Sequence, residues 1–202
     1  PHQLDLMQWI FGMPQEVWAH CARAHYHHIE VEDDATIFAR YANGATATFI
    51  TTTGEYPGTN RLEIVGDRGK LVLEDNKIRW WRLDRAERDV CFETGCPLPE
   101  ITYEEILPDH KEEAHKGILR NFTAAILDGT ELLAPGYDAV CELTISNAAY
   151  LSSWTGEIVP LPLDTARFDK LLAQRAATSS YHEGSAVGEA DGAYKHRWNV
   201  NW

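Results

Sequence analysis

Cysteine is scarce in this chain, with four residues among 202. Cys21, Cys91, Cys96 and Cys141 form no C-x-x-C pair and no zinc-ligand spacing. That excludes a disulfide scaffold and a zinc ribbon, and it reads as reduced thiols in a cytoplasmic protein. Basic residues are also few: 18 Lys and Arg stand against 31 Asp and Glu, for a net charge of −13. Such a balance excludes a nucleic-acid or anionic-membrane surface as the main partner and favours solubility. Apolar runs are short, and none approaches the ~20 residues a membrane helix needs. A basic segment followed by an apolar one, the mark of a secretory signal, is absent from the first residues. Neither G-x-G-x-x-G nor a P-loop occurs, so no nucleotide-phosphate cradle is legible. The chain starts at Pro1, without an initiator methionine and already in a helical pattern, and reads as a piece of a longer protein.

What is present is mostly strand. Residues 34–41 alternate, with Ala35, Ile37, Ala39 and Tyr41 on one face. Asn43-Gly44 follows, a strong hairpin signal because both residues tolerate positive φ. Residues 45–53 return without a charge. After the break at 54–58 come strands at 61–65, 70–74 and 78–83, separated by Gly66-Asp-Arg-Gly69 and Asp75-Asn76. Turns this short favour antiparallel neighbours, since parallel crossovers need a dozen or more residues. Trp80 and Trp81 point to opposite faces of their strand. Residues 16–26 read as a further strand, 87–94 as another and 101–106 as an edge strand.

Helices are expected at 2–11, 111–127, 137–154 and, capped by Asp164, through 176. In the second, His115, Leu119, Phe122 and Ile126 recur at helical spacing. In the third, Val140, Leu143, Asn147, Tyr150 and Trp154 mark the expected buried side. The fold class is therefore α+β: a large open, mainly antiparallel or mixed sheet with helices packed on one face. Residues 178–194 are rich in Ser, Gly and acid and read as an arm, ending in His196-Arg-Trp-Asn-Val-Asn-Trp202.

Several stretches carry side chains suited to chemistry. His2, Asp5 and Trp9 share a helix face, where a histidine at a helix start is more often packed or locally bonded than catalytic. His20, His25, His27 and His28 are too scattered across two strand faces to converge on a metal. Glu30, Glu32, Asp33 and Asp34 read as a solvated acidic turn. The loop 53–61 interrupts two good strands with Glu, Tyr, Asn and Arg, groups able to fix hydroxyls or carboxylates; it is either a pocket rim or a plain connection. His115 is either a satisfied core residue or one pointing into a pocket.

Taken in order, several segments resemble one family. They are Pro-His-Gln-Leu-Asp-Leu-Met-Gln-Trp9, Val-Glu-Asp-Asp-Ala-Thr36, Gly-Glu-Tyr-Pro-Gly-Thr-Asn-Arg-Leu-Glu-Ile-Val-Gly66 and Gly69-Lys-Leu71. His115 with Asn121-Phe122, Asn147-Ala-Ala-Tyr150 with Ser152, and Pro160-Leu-Pro162 complete the set. Together they resemble the C-terminal domain of the glucose–fructose oxidoreductase / inositol dehydrogenase / rhizopine-catabolism family (Gfo/Idh/MocA). The resemblance implies an N-terminal Rossmann domain, outside this chain, that binds NAD or NADP. It implies a substrate-binding and dimerisation domain over residues 1–177, followed by an extended arm at 178–202, and a homodimer or tetramer formed through the sheet face. The implied substrate is a sugar, cyclitol or related polyol. On the family's pattern His2 is the acid/base residue, Tyr56, Thr59, Asn60 and Arg61 match the substrate-side loop, and His115 matches a helix position facing the pocket. No metal is implied, and no cofactor-binding residue falls in this chain. Three readings stay open: half of an NAD(P)-dependent dehydrogenase, half of a redox-assisted glycosidase or epimerase in which Glu55, Tyr56 or His115 serves as a second acid/base, or a non-catalytic binding module.

Overall fold

The computed structural model describes residues 1–109 and 113–180. They fall into two compact units, the first made of residues 1–55 and 115–180 and the second of residues 56–109 and 113–114.

The first unit opens with α1 (His2–Phe11), which Gly12 ends at φ 75° by donating its N–H to the Gln8 carbonyl at 2.7 Å. That left-handed conformation suits glycine. β1 (Glu16–Arg23), β2 (Glu32–Arg40) and β3 (Thr46–Thr52) form an antiparallel meander. The Asn43-Gly44 hairpin closes as expected, with Gly44 at φ 86° and the Ala45 N–H held by Asn43 Oδ1 at 3.0 Å. The expected alternation of β2 also holds, since Ala35, Ile37, Ala39 and Tyr41 are all buried.

Later elements complete this unit. They are α4 (Gly136–Thr155), a short β8 (Val159–Pro160) paired with β1 at Val17, and α5 (Thr165–Ala177), whose Asp164 cap accepts the Arg167 N–H at 3.0 Å. α4 packs on β1, α1 and α5. Leu4, Met7, Val17, Ile37, Ile145 and Leu151 lie in the resulting core. Each such side chain contributes roughly 1.5–3 kcal/mol when fully buried.

β8 pairs with β1 only at Glu16 and Val17, so the edge of β1 beyond them needs other partners. Two serines of α4 supply them. Ser152 Oγ accepts the Ala19 N–H and Ser153 Oγ the Cys21 N–H, both at 2.9 Å. The helix thereby takes the place of a strand. The small residues Ala148 and Ala149 permit this close approach, and the buried side of α4 is Ile145, Ala148, Ala149, Leu151 and Ser152. The expected side is wrong in part, because Val140 and Leu143 are exposed. α3 (Ala114–Asp128) likewise has no buried residue, and Leu119, Phe122 and Ile126 are open among the described residues.

The second unit is a separate four-stranded antiparallel sheet, in the order β4 (Leu62–Gly66), β5 (Gly69–Glu74), β6 (Lys77–Leu83), β7 (Ile101–Ile106). The α+β class stands, but the strands form two sheets of four among the described residues where the sequence reads as one broad sheet. Asp75 and Asn76 turn with φ of 54° and 57°, the double positive of a tight hairpin. Gly69 is required twice over: its φ is 133°, and a Cβ there would lie 2.0 Å from the Trp81 carbonyl oxygen. β7 is an edge strand, and Trp80 and Trp81 stand opposite Leu71 and Lys70 on opposite faces, as expected. The strand expected at 87–94 is instead a short helix, α2 (Glu87–Val90), anchored by the Glu87 N–H on the Asp67 carbonyl at 2.7 Å. Val72, Ala86 and Val90 are the buried apolar residues of this unit.

The arm expected from residue 178 lies, beyond Ser180, outside the described residues. No helix among the described residues is long and apolar enough to cross a membrane.

Candidate functional site

His2 is the first residue of α1. The helix buries Leu4, Met7 and Gln8 and leaves His2, Asp5 and Trp9 exposed, so the shared face read from the spacing is the open face. Asp5 accepts a hydrogen bond from Gln8 Nε2 at 3.0 Å, which fixes its carboxylate one turn after His2. Across from the head of α1 stands Glu142 of α4. Burial pushes its carboxyl up first, and Asp5 adds to the rise. Sequence reasoning missed Glu142, because only the packing of α4 on α1 brings it to this end.

The remaining predicted residues are distributed. His115 is exposed near the start of α3. Tyr56, Thr59, Asn60 and Arg61 belong to the second unit and are exposed in the connection before β4, where the Tyr56–Pro57 bond is cis. Arg61 is engaged by two carboxylates, at 2.5 Å from Glu63 and 2.9 Å from Glu74. Glu74 also meets Arg79 at 3.1 Å, and Glu63 meets Lys70 at 3.3 Å, so a ladder of alternating charge crosses β4, β5 and β6. The Arg61 guanidinium pKa is raised, by its hydrogen bond to Glu63 first.

The acidic turn is where the sequence misleads most. Asp33 is buried, its side chain 0 % exposed. Its carboxylate accepts the backbone N–H groups of His25, Tyr26 and His27 at 3.0, 2.7 and 2.8 Å, and His27 Nδ1 lies 3.3 Å away. Burial alone pushes this carboxyl up, but the hydrogen bonds together outweigh it and bring the pKa down to about 2. β1 accordingly ends at Arg23, and His25, His27 and His28 lie in a loop, not on the strand expected to reach residue 26. No group of His, Cys, Asp and Glu able to hold a metal occurs among the described residues.

The first unit also contains a cavity of about 920 Å³ that none of the predicted residues lines. Its walls include Cys21, Arg23, Asn147, Tyr150, Trp154 and Arg175. Tyr150, Trp154 and Phe168 stack with centroids 5.7 and 5.5 Å apart, and the Arg175 guanidinium lies over Trp154 at 4.7 Å. Tyr150 donates its hydroxyl to Glu32; burial first, then this bond, push the phenol far above its ordinary range, so it stays protonated. The Tyr150–Trp154 pair was legible as a helix repeat, but its partners from β2 and α5 were not.

The family model for the GFO/IDH/MocA C-terminal domain matches residues 1–72. No curated protein matches the sequence. Among solved structures, the WlbA dehydrogenase from Bordetella pertussis in complex with NADH and UDP-GlcNAcA is similar at 21% identity and TM-score 0.53, over 81% of this chain and 43% of that one. The aldose-aldose oxidoreductase from Caulobacter crescentus, complexed with glycerol, gives 22% identity and TM-score 0.60, over 79% and 45%. The biliverdin reductase from Synechocystis, in complex with biliverdin and NADP+, gives 18% and 0.58, over 74% and 43%. The chain thus spans less than half the length of these proteins, and at such identities the likeness concerns the fold. The resemblance read from the sequence finds its match over residues 1–72, which fit the GFO/IDH/MocA C-terminal domain; for the chain as a whole the likeness is to the fold of these oxidoreductase structures.

Proposed function

We propose that this chain is the substrate-binding and oligomerisation half of an NAD(P)-dependent oxidoreductase acting on a CH–OH group of a sugar, cyclitol or related polyol. The observation that carries the reading is the placement of His2: it heads α1, exposed, within the stretch that matches the family model. An imidazole suits acid/base work because its unperturbed pKa lies near neutrality.

In this reading NAD or NADP is bound mainly by an N-terminal domain outside this chain, and when bound it supplies the hydride acceptor. His2 takes the proton from the substrate hydroxyl as that carbon becomes a carbonyl. Asp5, already fixed by Gln8, places a carboxylate one turn after His2. Tyr56, Thr59 and Asn60 offer hydroxyl and amide groups to a polyol. Arg61, ordered by Glu63 and Glu74, offers the guanidinium N–H groups that those two carboxylates leave over. His115 is proposed as a further substrate contact from α3. Glycerol and UDP-GlcNAcA, bound by two of the similar proteins, are compatible with a hydroxyl-rich ligand.

The oligomer is proposed to form through the open face of the first sheet. There Trp18 stands opposite Phe38, and Ile50 lies beside Thr36; all three apolar side chains are exposed. The chain by itself is expected to be inactive. The test is to express the full-length protein and follow A340 with NAD and with NADP against a panel of sugars and cyclitols. Reduction of the cofactor supports the proposal. Consumption of a glycoside or an epimerisable sugar with no net change in A340 would replace it with redox-assisted cleavage or epimerisation. No turnover of any kind would leave a binding module.

A further inference from the structure

Two exposed thiols lie close together in the second unit. Cys91 directly follows α2, and two successive turns then fold the chain back: Glu93 N–H on the Val90 carbonyl and Cys96 N–H on the Glu93 carbonyl, both at 3.0 Å. Gly95 and Cys96 complete the reversal with φ of 87° and 43°. The result sets Cys96 Sγ 3.4 Å from the carbonyl oxygen of Cys91. Cys91 Sγ is turned back toward the Arg88 carbonyl at 3.5 Å. Both thiols are exposed.

We propose that Cys91 and Cys96 form a reversible thiol–disulfide modification site that low-molecular-weight disulfides oxidise. A disulfide needs Cβ atoms about 3.8 Å apart. With Cys96 sulfur already against the Cys91 main chain, rotation of the Cys91 side chain away from Arg88 is the main movement required. The hydrogen bonds lost are weak thiol-to-carbonyl contacts, so little opposes it. The segment is also held by the buried Val90 before it and by an Arg85–Glu93 ion pair inside it. These anchors keep the two sulfurs at high effective concentration.

The reaction is two exchanges. One cysteine thiol loses its proton, and the thiolate attacks a sulfur of glutathione disulfide, breaking that S–S bond, forming a mixed disulfide and expelling glutathione thiolate. The second cysteine thiolate attacks the protein sulfur of that mixed disulfide and expels the second glutathione. Two protein thiols are oxidised to one disulfide, one glutathione disulfide is reduced to two thiols, and the two protons pass to the departing thiolates. Cys21 and Cys141 are only partly exposed and serve as internal controls. Burial first, then Glu32, raise the Cys21 pKa and disfavour its thiolate.

The test treats the full chain with glutathione disulfide, blocks remaining thiols, and digests with a glutamate-specific protease, which cuts after Glu93 between the two cysteines. Fall of the free-thiol titre from four to two, with the Cys91 and Cys96 peptides joined by a bond that dithiothreitol releases, is the expected result. Cys91→Ser should instead trap glutathione on Cys96, and the bridge should slow amide exchange across residues 91–96 in the wild type. Stable glutathione adducts on wild-type Cys96 without joined peptides, or no reaction at either residue, would overturn the proposal.

Discussion

Asp33 Oδ2 accepts the Tyr26 backbone N–H at 2.7 Å, and with that bond a buried carboxylate fixes a loop of three histidines and a tyrosine. The consequence reaches the next connection. The Tyr26 ring lies over Gly54, so close that a Cβ on Gly54 would meet ring carbons at 2.3–2.7 Å. His27 Nδ1 is also 3.3 Å from Thr53 Oγ1. Because carboxylate and hydroxyl share the same ring nitrogen, this is a clamp and not a relay of the kind that activates a nucleophile.

Acid should release the clamp. The Asp33 pKa is brought from its ordinary 3.8 to about 2 in the folded chain. A carboxyl with a depressed folded pKa contributes stability above its unfolded value, and that contribution is lost as pH falls through the folded one. Asp33 should therefore make thermal stability fall between pH 4 and pH 2. Glu30, lowered to about 2 by Ser179 and Ser180, acts in the same window, so the comparison must be with Asp33→Asn. The variant should be less stable than wild type at pH 6, and the difference should shrink toward pH 2. Parallel curves for the two proteins would show that the carboxylate charge is irrelevant.

Ser152→Ala should destabilise the first unit. The buried Ser152 Oγ accepts the Ala19 N–H and donates to the Glu157 carbonyl at 2.7 Å. Its removal leaves a buried donor and acceptor, at a cost of roughly 1–3 kcal/mol. Urea denaturation should show the lower midpoint without a change in slope. A neutral result would mean that the edge of β1 finds another partner.

Tyr41→Phe should act in the opposite sense. Its hydroxyl oxygen is buried without a hydrogen-bonding group among the described residues, and burial raises its pKa. Removing a polar atom that desolvation penalises should stabilise the chain by about 1 kcal/mol, read as a higher denaturation midpoint. A loss of that size would reveal a partner formed in solution.

These positions also show what a sequence can and cannot carry. The alternation through Ala35, Ile37, Ala39 and Tyr41, and the turns at Asn43-Gly44 and Asp75-Asn76, are local patterns whose causes are local, and all were legible. The α2 segment was not: four residues carry no period, and the contact that anchors them comes from Asp67, 20 residues earlier. The face of α4 was turned wrongly because hydropathy favours Val140 and Leu143 over Ala148 and Ser152, whereas close approach to β1 selects small residues. Asp33 read as solvated because nothing local tells a loop staple from a surface acid. His2 was singled out by family likeness, since its spacing to Asp5 and Trp9 establishes only a shared helix face.

The most direct measurement compares full-length wild type with His2→Ala, on a substrate that the wild type oxidises, by following A340 across pH. His2 as acid/base predicts a loss in kcat of roughly 10²–10⁴-fold with the folded structure retained, and a pH profile altered from that of the wild type. An unchanged kcat and pH profile in His2→Ala would contradict the account and return His2 to a structural role.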